Sequence, residues 1–233
     1  MMSLTNVAVV LPALNEVSCV AEVVRGFRVE VQRVIVVDNG STDGTSQAAT
    51  NAGAEVVHET ERGYGNACLA GITHLATNPP EIVVFADCDG TLDPHDLRSM
   101  IIPIVHDQAD LVLGRRTWVE KGALPMHQRF GNGFACFLLR VFYGLTVNDI
   151  PPYRVVRWSL LNKLNLSEKT YGFPAETVAR ARLRGGRIEE VQVAYRVRAS
   201  GRSKVTGSIS SSLKAGAIMM SVLLSVRFRR SSI

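Results

Sequence analysis

The stretch VVFADCDGTLDP, residues 83–94, places Asp87 and Asp89 directly after an apolar run from Ile82 to Ala86. A short apolar run closed by turn residues reads as a buried strand, so both carboxylates stand at its carboxyl end. Two chemistries need acids there. Asp87 can be a nucleophile that accepts a phosphoryl group, or Asp87 and Asp89 can be ligands to a divalent cation on the diphosphate of a sugar nucleotide. The segments before and after the stretch decide between them.

Upstream, residues 6–86 alternate valine-rich runs with segments of helical period, the pattern of βα units around a parallel sheet. The runs are Val7–Leu11, Val34–Val37, Glu55–Val57 and Ile82–Phe85. Between them Val17, Val20, Ala21, Val24 and Phe27 recur at helical spacing, as do Cys68, Ile72, Leu75 and Ala76. Leu97, Met100, Ile101, Ile104 and Val105 mark a further helix, and Leu111–Leu113 a further strand. The second half is less regular: a loop over 115–127, a helix over 129–143, a segment 148–156, a helix over 176–184 and a strand over 188–197. The expected class is α/β, an open, mostly parallel, Rossmann-like sheet flanked by helices, formed by one domain over 1–233. Residues 1–114 would form the nucleotide-sugar half, 115–207 the acceptor half, and 208–233 a C-terminal apolar and basic helix.

A phosphatase built on D-x-D-G-T carries that motif after its first core strand, with an acidic pair and a lysine downstream. Here three βα units precede it, and Lys121 and Asp149 are not joined by an acidic pair after a strand. Ligands of open α/β sheets bind outside the carboxyl ends of the strands. Three such places are unusual: Pro12-Ala13-Leu14-Asn15-Glu16, Asp38-Asn-Gly-Ser-Thr-Asp-Gly-Thr45, and Asp87-Cys88-Asp89. They line Glu16, Asp38, Asp87 and Asp89 along one rim. Asp38 suits the N–H edge of uracil or guanine, with Ser41 or Thr42 capping the next helix. Asp87 and Asp89 suit Mg2+ or Mn2+, which take few protein ligands and leave room for phosphate oxygens.

The chain of 233 residues is 46% hydrophobic, enough for one large core. Its net charge of +5 fits anionic substrates or an acidic membrane surface. Aromatics make up only 6% and do not interleave with the basic residues, so nucleic acid is not an expected partner. Cys19, Cys68, Cys88 and Cys136 lack metal spacing and read as buried thiols in a reducing cytoplasm. The opening residues read as a first strand rather than a signal peptide.

LPALNE, VVDNGSTDGT, ERGYGNACLAG, FADCDGTLDP, LVLGRR, YGFPAE and SGRSKVTG occur in this order. Together they resemble glycosyltransferase family 2, nearest the dolichyl- or polyprenyl-phosphate hexose synthases, over about residues 6–207. The resemblance implies a GT-A fold, a UDP- or GDP-linked sugar donor, a divalent metal and inversion at the anomeric carbon. It implies that Pro12, Ala13, Leu14, Glu16 and Asp38 border base and ribose, and that Asp87, Cys88 and Asp89 serve ribose, metal and diphosphate. Related synthases often carry an aromatic residue at the position of Leu14 and a glutamine at that of Thr91. Arg62-Gly-Tyr-Gly65 fits close backbone approach to a phosphate or sugar.

A phosphate acceptor is already ionised, so it needs cations to position it rather than a base. Arg116, Arg129 and Arg154 are the expected cations, and Lys204, in the basic loop from Arg198 to Lys204, is expected to close over the diphosphate. A hydroxyl acceptor needs a base, for which Asp149 or Glu176 is available, with His127 a weaker choice. Glu176 can equally pair with Arg180. The uncharged stretch Ala215–Val226 is about 18 Å long as a helix, short of the ~30 Å bilayer core. Flanked by Lys214, Arg227, Arg229 and Arg230, segment 213–230 could lie at a membrane interface, pack on the sheet, or form a homodimer. The enzyme would then be cytoplasmic, peripheral at the inner membrane face. A hexosyltransferase acting on polyprenyl phosphate leads; a soluble hydroxyl acceptor and a non-catalytic nucleotide-sugar-binding module are the alternatives.

Overall fold

The computed structural model describes residues 6–118, 126–197 and 209–228. Lys121, Lys204 and the rest of the basic loop 198–204, with Arg229 and Arg230, lie outside the described residues, as do the side chains of His127 and Lys214. Four parallel strands come first: β1 (Val7–Ala13), β2 (Arg33–Asp38), β3 (Glu55–His58) and β4 (Ile82–Phe85). Helices α1 (Val20–Glu30), α2 (Thr45–Asn51) and α3 (Tyr64–Leu75) connect them. A 3₁₀ turn, Pro94–Asp96, leads into α4 (Leu97–Val105), then β5 (Leu111–Trp118) and α5 (Met126–Tyr143). Strand β6 (Arg154–Arg157), helices α6 (Trp158–Leu161) and α7 (Phe173–Leu183), strand β7 (Ile188–Tyr195) and helix α8 (Ile209–Phe228) follow.

The sheet order is β3-β2-β1-β4-β6-β5-β7. It is mostly parallel, but β6 runs antiparallel to both neighbours, β4 and β5. Strand β6 therefore separates β5 from the four strands of the nucleotide-side units. The expected halves interleave in space: 115–118 belong to β5, paired with β7, rather than to a loop.

Strand periodicity sends alternate residues to opposite faces. Val7, Val9, Leu11 and Ala13 pack under α1, α2 and α4, while Ala8 and Val10 pack under α3, α5 and α7. Both faces are covered, which is why these runs read as continuously apolar. In α1 the buried positions are Val20, Val23, Val24 and Phe27. Val17 precedes the helix and is 43% exposed, so it does not belong to that stripe. Asp93 caps the 3₁₀ turn, its carboxylate accepting from His95 N at 3.0 Å. The cap of α2 is neither Ser41 nor Thr42. Gly44, at φ +88°, occupies that place, and the Asp43 carboxylate accepts from Thr45 N at 3.1 Å.

Gly63 and Gly65 have a different use from the one expected. A Cβ on Gly63 would stand 2.2 Å from the Lys169 carbonyl oxygen, and one on Gly65 2.1 Å from that of Glu168. The close backbone approach is to the chain's own 168–169 segment, sealed by Asn66 N donating to Lys169 O at 3.0 Å. Neither partner atom is a side chain that could swing away. Gly65→Ala should therefore lower stability by about 2–3 kcal/mol, or roughly 5–10 °C in Tm, read by thermal unfolding. An unchanged Tm would show that the two segments separate freely.

Candidate functional site

The carboxyl ends of β2, β1 and β4 meet at one edge of the sheet. Asp38 pairs with Ala13 across β2 and β1, and Phe85 pairs with Val10 across β4 and β1. Asp38 and Asp87 therefore stand two strands apart on the same rim, roughly 10 Å in strand spacing. Glu16 closes the first loop between them and is buried.

The first two loops are stitched together by hydrogen bonds. Asn15 N donates to Ser41 Oγ at 2.9 Å, Thr42 N to Asn15 Oδ1 at 2.8 Å, and Glu16 N to Thr45 Oγ1 at 2.8 Å. Asn15 takes a left-handed φ of 51°, a conformation asparagine tolerates better than most residues. Ser41 N donates to Asp38 Oδ1 at 2.8 Å, and Ser46 Oγ donates to Asp38 Oδ2. Burial opposes charge on Asp38, yet these hydrogen bonds outweigh it and hold the carboxyl below its ordinary range. Asn39, buried beside it, donates to the carbonyls of Glu59 and Glu61 and accepts from Gly63 N at 2.8 Å. Residue by residue, the polar loop after β2 becomes a fixed shelf.

At the end of β4, Asp87 and Asp89 are partly accessible while Cys88 is buried. The Cys88 side chain turns into the core with Ala13 and Leu92, so only its backbone lies on the loop. Asp89 Oδ1 accepts from Thr91 N at 3.1 Å and from Thr91 Oγ1 at 2.7 Å. Desolvation by the surrounding protein, then the charge of Asp89, push the Asp87 carboxyl up to about 7; Arg154 and Arg116 pull the other way. Glu16 adds further negative charge. Three acids thus share a poorly solvated place.

Arg154 is not an open cation awaiting an acceptor. It pairs with Phe85 and Leu113 in the middle of the sheet, on the face beneath α7, and is fully buried. Its guanidinium carbon lies 5.4 Å from the Phe85 ring centroid and 5.6 Å from that of Phe173. Nη1 donates to Pro151 O at 3.0 Å, while Nε and Nη2 have no hydrogen-bond partner among the described residues, nor does the nearby Tyr64 hydroxyl. The fold places this cation behind Asp87 because β6 is an interior strand. Burial raises the Cys68 thiol in the same nest to about 12, so it stays neutral.

Arg116 and Asp149 form a bidentate pair: Nε to Oδ2 at 2.8 Å and Nη2 to Oδ1 at 2.7 Å, with Arg116 N also donating to Oδ2 at 3.0 Å. Glu190 fixes the segment beneath, accepting from Asn148 N at 2.8 Å and Asp149 N at 3.0 Å. Asp149 is thus bound to a cation rather than poised as a base. Glu176 is committed too, accepting from Ser167 N at 3.0 Å, Glu168 N at 2.8 Å and Arg180 Nε at 2.8 Å. The Arg116 guanidinium also lies 5.4 Å over the Tyr195 ring. Arg129, on the first turns of α5, is exposed. Asn132, one turn further, donates to Asn148 O at 3.3 Å and accepts from Ile150 N at 3.0 Å, fastening α5 to the Asp149 loop. Glu190, Tyr195 and Asn132 escape sequence reading because each stands alone in its segment, without a motif.

A mostly parallel sheet with an acidic, cation-backed rim at its carboxyl edge defines an α/β protein of the kind whose ligands bind beyond the strand ends. The family model described as Glycosyl transferase family 2 matches residues 8–164. The chain belongs to that family and is a glycosyltransferase. It is 40% identical over 209 residues to an uncharacterized glycosyltransferase of Mycobacterium tuberculosis, covering 90% of this chain and 94% of the other. A dolichyl-phosphate hexose transferase of Haloferax volcanii is 34% identical, with 83% and 84% covered. An undecaprenyl-phosphate mannosyltransferase of Micrococcus luteus is 30% identical, with 88% and 89% covered. Among solved structures, glucosyl-3-phosphoglycerate synthase from Mycobacterium tuberculosis, in complex with Mn2+, UDP and glucosyl-3-phosphoglycerate, superposes with a TM-score of 0.74 at 23% identity, over 96% of this chain and 80% of that one. The expected GT-A fold is thereby shown.

The acid cluster leaves a signature in stability. In metal-free protein Asp87 binds its proton more tightly folded than unfolded, since its carboxyl rises from 3.8 to about 7. Its contribution is complete below the unfolded value and is lost as pH rises through the folded one. Asp87→Asn should therefore gain Tm over the parent progressively between about pH 4 and 7, with little difference at the acid end. Parallel pH curves for the two proteins would refute the charge crowding.

Proposed function

We propose that this chain transfers a hexose from a UDP- or GDP-linked donor to polyprenyl phosphate, with inversion at the anomeric carbon. The observation that carries the acceptor assignment is that Asp149 and Glu176, the carboxylates available as general bases, are both engaged in buried ion pairs and backbone hydrogen bonds. A phosphomonoester, with a second pKa near ~6, attacks without giving a proton to the protein. The relatives named for dolichyl- and undecaprenyl-phosphate sugar transfer support the same acceptor class.

In this reading an acceptor phosphate oxygen attacks C1 of the sugar, the bond from C1 to the diphosphate oxygen breaks, and the electron pair leaves on the nucleoside diphosphate. Asp38 receives N–H groups of the base, with Pro12, Ala13, Leu14 and Glu16 lining base and ribose. Asp87 and Asp89 fit Mg2+ or Mn2+: with Glu16 they make three acids against Arg154 and an Arg116 already paired with Asp149, and a cation with few protein ligands suits two acids plus phosphate oxygens. Among the described residues no group of three metal-ligating side chains forms a site without such oxygens. When bound, the metal supplies neutralisation of charge on the leaving diphosphate. Arg116 and Arg129 orient the acceptor phosphate, and Lys204 is the cation assigned to the donor diphosphate. Arg154 acts through Asp87, as the buried counter-charge that lets two carboxylates stand together. Contact with the cytoplasmic face of a membrane, through segment 213–230, brings the lipid to the site.

Titration of thermal stability with UDP and GDP, each with and without Mn2+, should show one nucleotide stabilising strongly and only with the metal. Asp89→Ala should lose the metal-dependent part and reduce transfer by at least about 10²-fold. A variant that transfers at the parent rate would overturn the assignment. Among acceptors, polyprenyl phosphate should be used in preference to water-soluble alcohols and phosphates; product with soluble acceptors alone would remove the lipid. Asp149→Asn frees Arg116 from its anchor, so the acceptor KM should rise by a larger factor than turnover falls. A turnover lowered at least about a hundredfold with KM unchanged, the mark of a lost base, would contradict that.

A further inference from the structure

We infer that the outward face of α5, flanked by the end of α8, is a docking surface for an anionic lipid bilayer. Phe130, Phe134, Phe137 and Val141 follow one another at spacings of four, three and four, so they form a single stripe along the helix. A stripe of that period normally faces a core. Here it faces solvent: Phe130 is 72% exposed, Phe134 48%, Phe137 55% and Val141 56%. The opposite face of α5 carries the buried Ala135, Cys136 and Leu139, so the helix is already fully packed on its inner side. Beside the stripe α8 packs on α5, where the exposed Phe228 meets the half-buried Phe142, roughly 110° round the helix, edge to face at 5.7 Å. Of α8 itself, Ala215, Val222 and Leu223 are buried, so much of the apolar tail is spent on internal packing.

The charges beside the stripe choose the occupant. Arg129 and Arg140 lie on one flank of it, roughly 90° round the helix, and Arg227 stands beside Phe228; all three are exposed. Neither α5 nor α8 contains an Asp or Glu. A second copy docked on this face would bring arginines against arginines with no acid from either helix between them. An anionic headgroup layer neutralises them while the phenylalanines enter the acyl boundary, the arrangement of an interfacial amphipathic helix. At about 200 Å² per aromatic side chain the exposed stripe and Phe228 amount to on the order of 500 Å², below the ~800 Å² per partner of a stable protein pair. No helix among the described residues is long and apolar enough to cross a membrane, which leaves contact along the surface. Asn132, on the same helix, is bonded to the segment that carries Asp149, so a bilayer on this face lies alongside the Arg116 end of the cleft.

The inference stands apart from the acceptor assignment, because binding is read without donor or acceptor. Flotation of the full chain with phosphatidylcholine vesicles, with and without added phosphatidylglycerol, should give more than about tenfold stronger association with the anionic set, falling at high salt. Phe134→Asp/Phe137→Asp should abolish it while leaving Tm and metal-dependent nucleotide binding intact. The milder Phe137→Ser and Arg140→Gln, each weakening association severalfold, keep the test open should the double variant fold poorly. Equal association with neutral vesicles, undiminished association of well-folded variants, or a parent dimer that the same substitutions dissolve would each overturn the inference. If vesicle binding holds and only soluble acceptors are glycosylated, the acceptor assignment fails and this surface does not.

Discussion

Negative charge gathered where parallel strands end is the constraint on which the site depends. Glu16, Asp87 and Asp89 come from two loops, yet they act on one another electrostatically. Such crowding is costly in a poorly solvated place, and the fold offsets it from behind with a buried arginine and from the side with another. Arg154 reaches that position only because β6 inserts between β4 and β5, and Arg116 because β5 extends to Trp118 alongside β7. The sheet and the electrostatics of the cleft are one design. Removing β6 from the sheet would leave the acids without the counter-charge behind them.

The loops around this cluster are polar but not loose. Asn15, Asp38, Asn39 and Asp43 each spend side-chain hydrogen bonds on neighbouring backbone, which is how short polar residues organise turns without secondary structure. A shelf built this way is set before any ligand arrives, so little ordering remains to be done on binding. The same economy explains the glycines of ERGYG. They admit the 168–169 backbone, and so join the third loop to the segment leading into α7.

Two surfaces frame the cleft. One is the rim of loops after β1, β2 and β4; the other is the α5 side, where Asn132 and Glu190 hold the Asp149 segment. Exposed phenylalanines on that second side are unusual for a chain whose aromatics make up only 6% of its residues. Their concentration on one helix that carries basic and no acidic residues gives the molecule a chemical direction that its overall charge of +5 states only in bulk.

Local pattern determined much of this molecule. Short valine-rich runs, helical stripes such as Leu97, Met100, Ile101 and Ile104, and carboxylates after β1, β2 and β4 were legible because apolar runs, helix repeats and strand-end chemistry are short-range properties. The ordered motifs carried the family for the same reason. Tertiary structure alone decided the rest. Nothing near Arg154 in the chain says that its strand lies inside the sheet, so a cation expected at an open surface proved to be a buried counter-ion. Likewise Asp149 read as an available base until a distant partner, Arg116, was brought to it, whereas the Glu176 pair with Arg180 was legible from their spacing and only the bonds from the backbone at 167–168 were not. Ion pairing and burial depend on contacts between segments far apart in sequence, and no local period records which segments will meet.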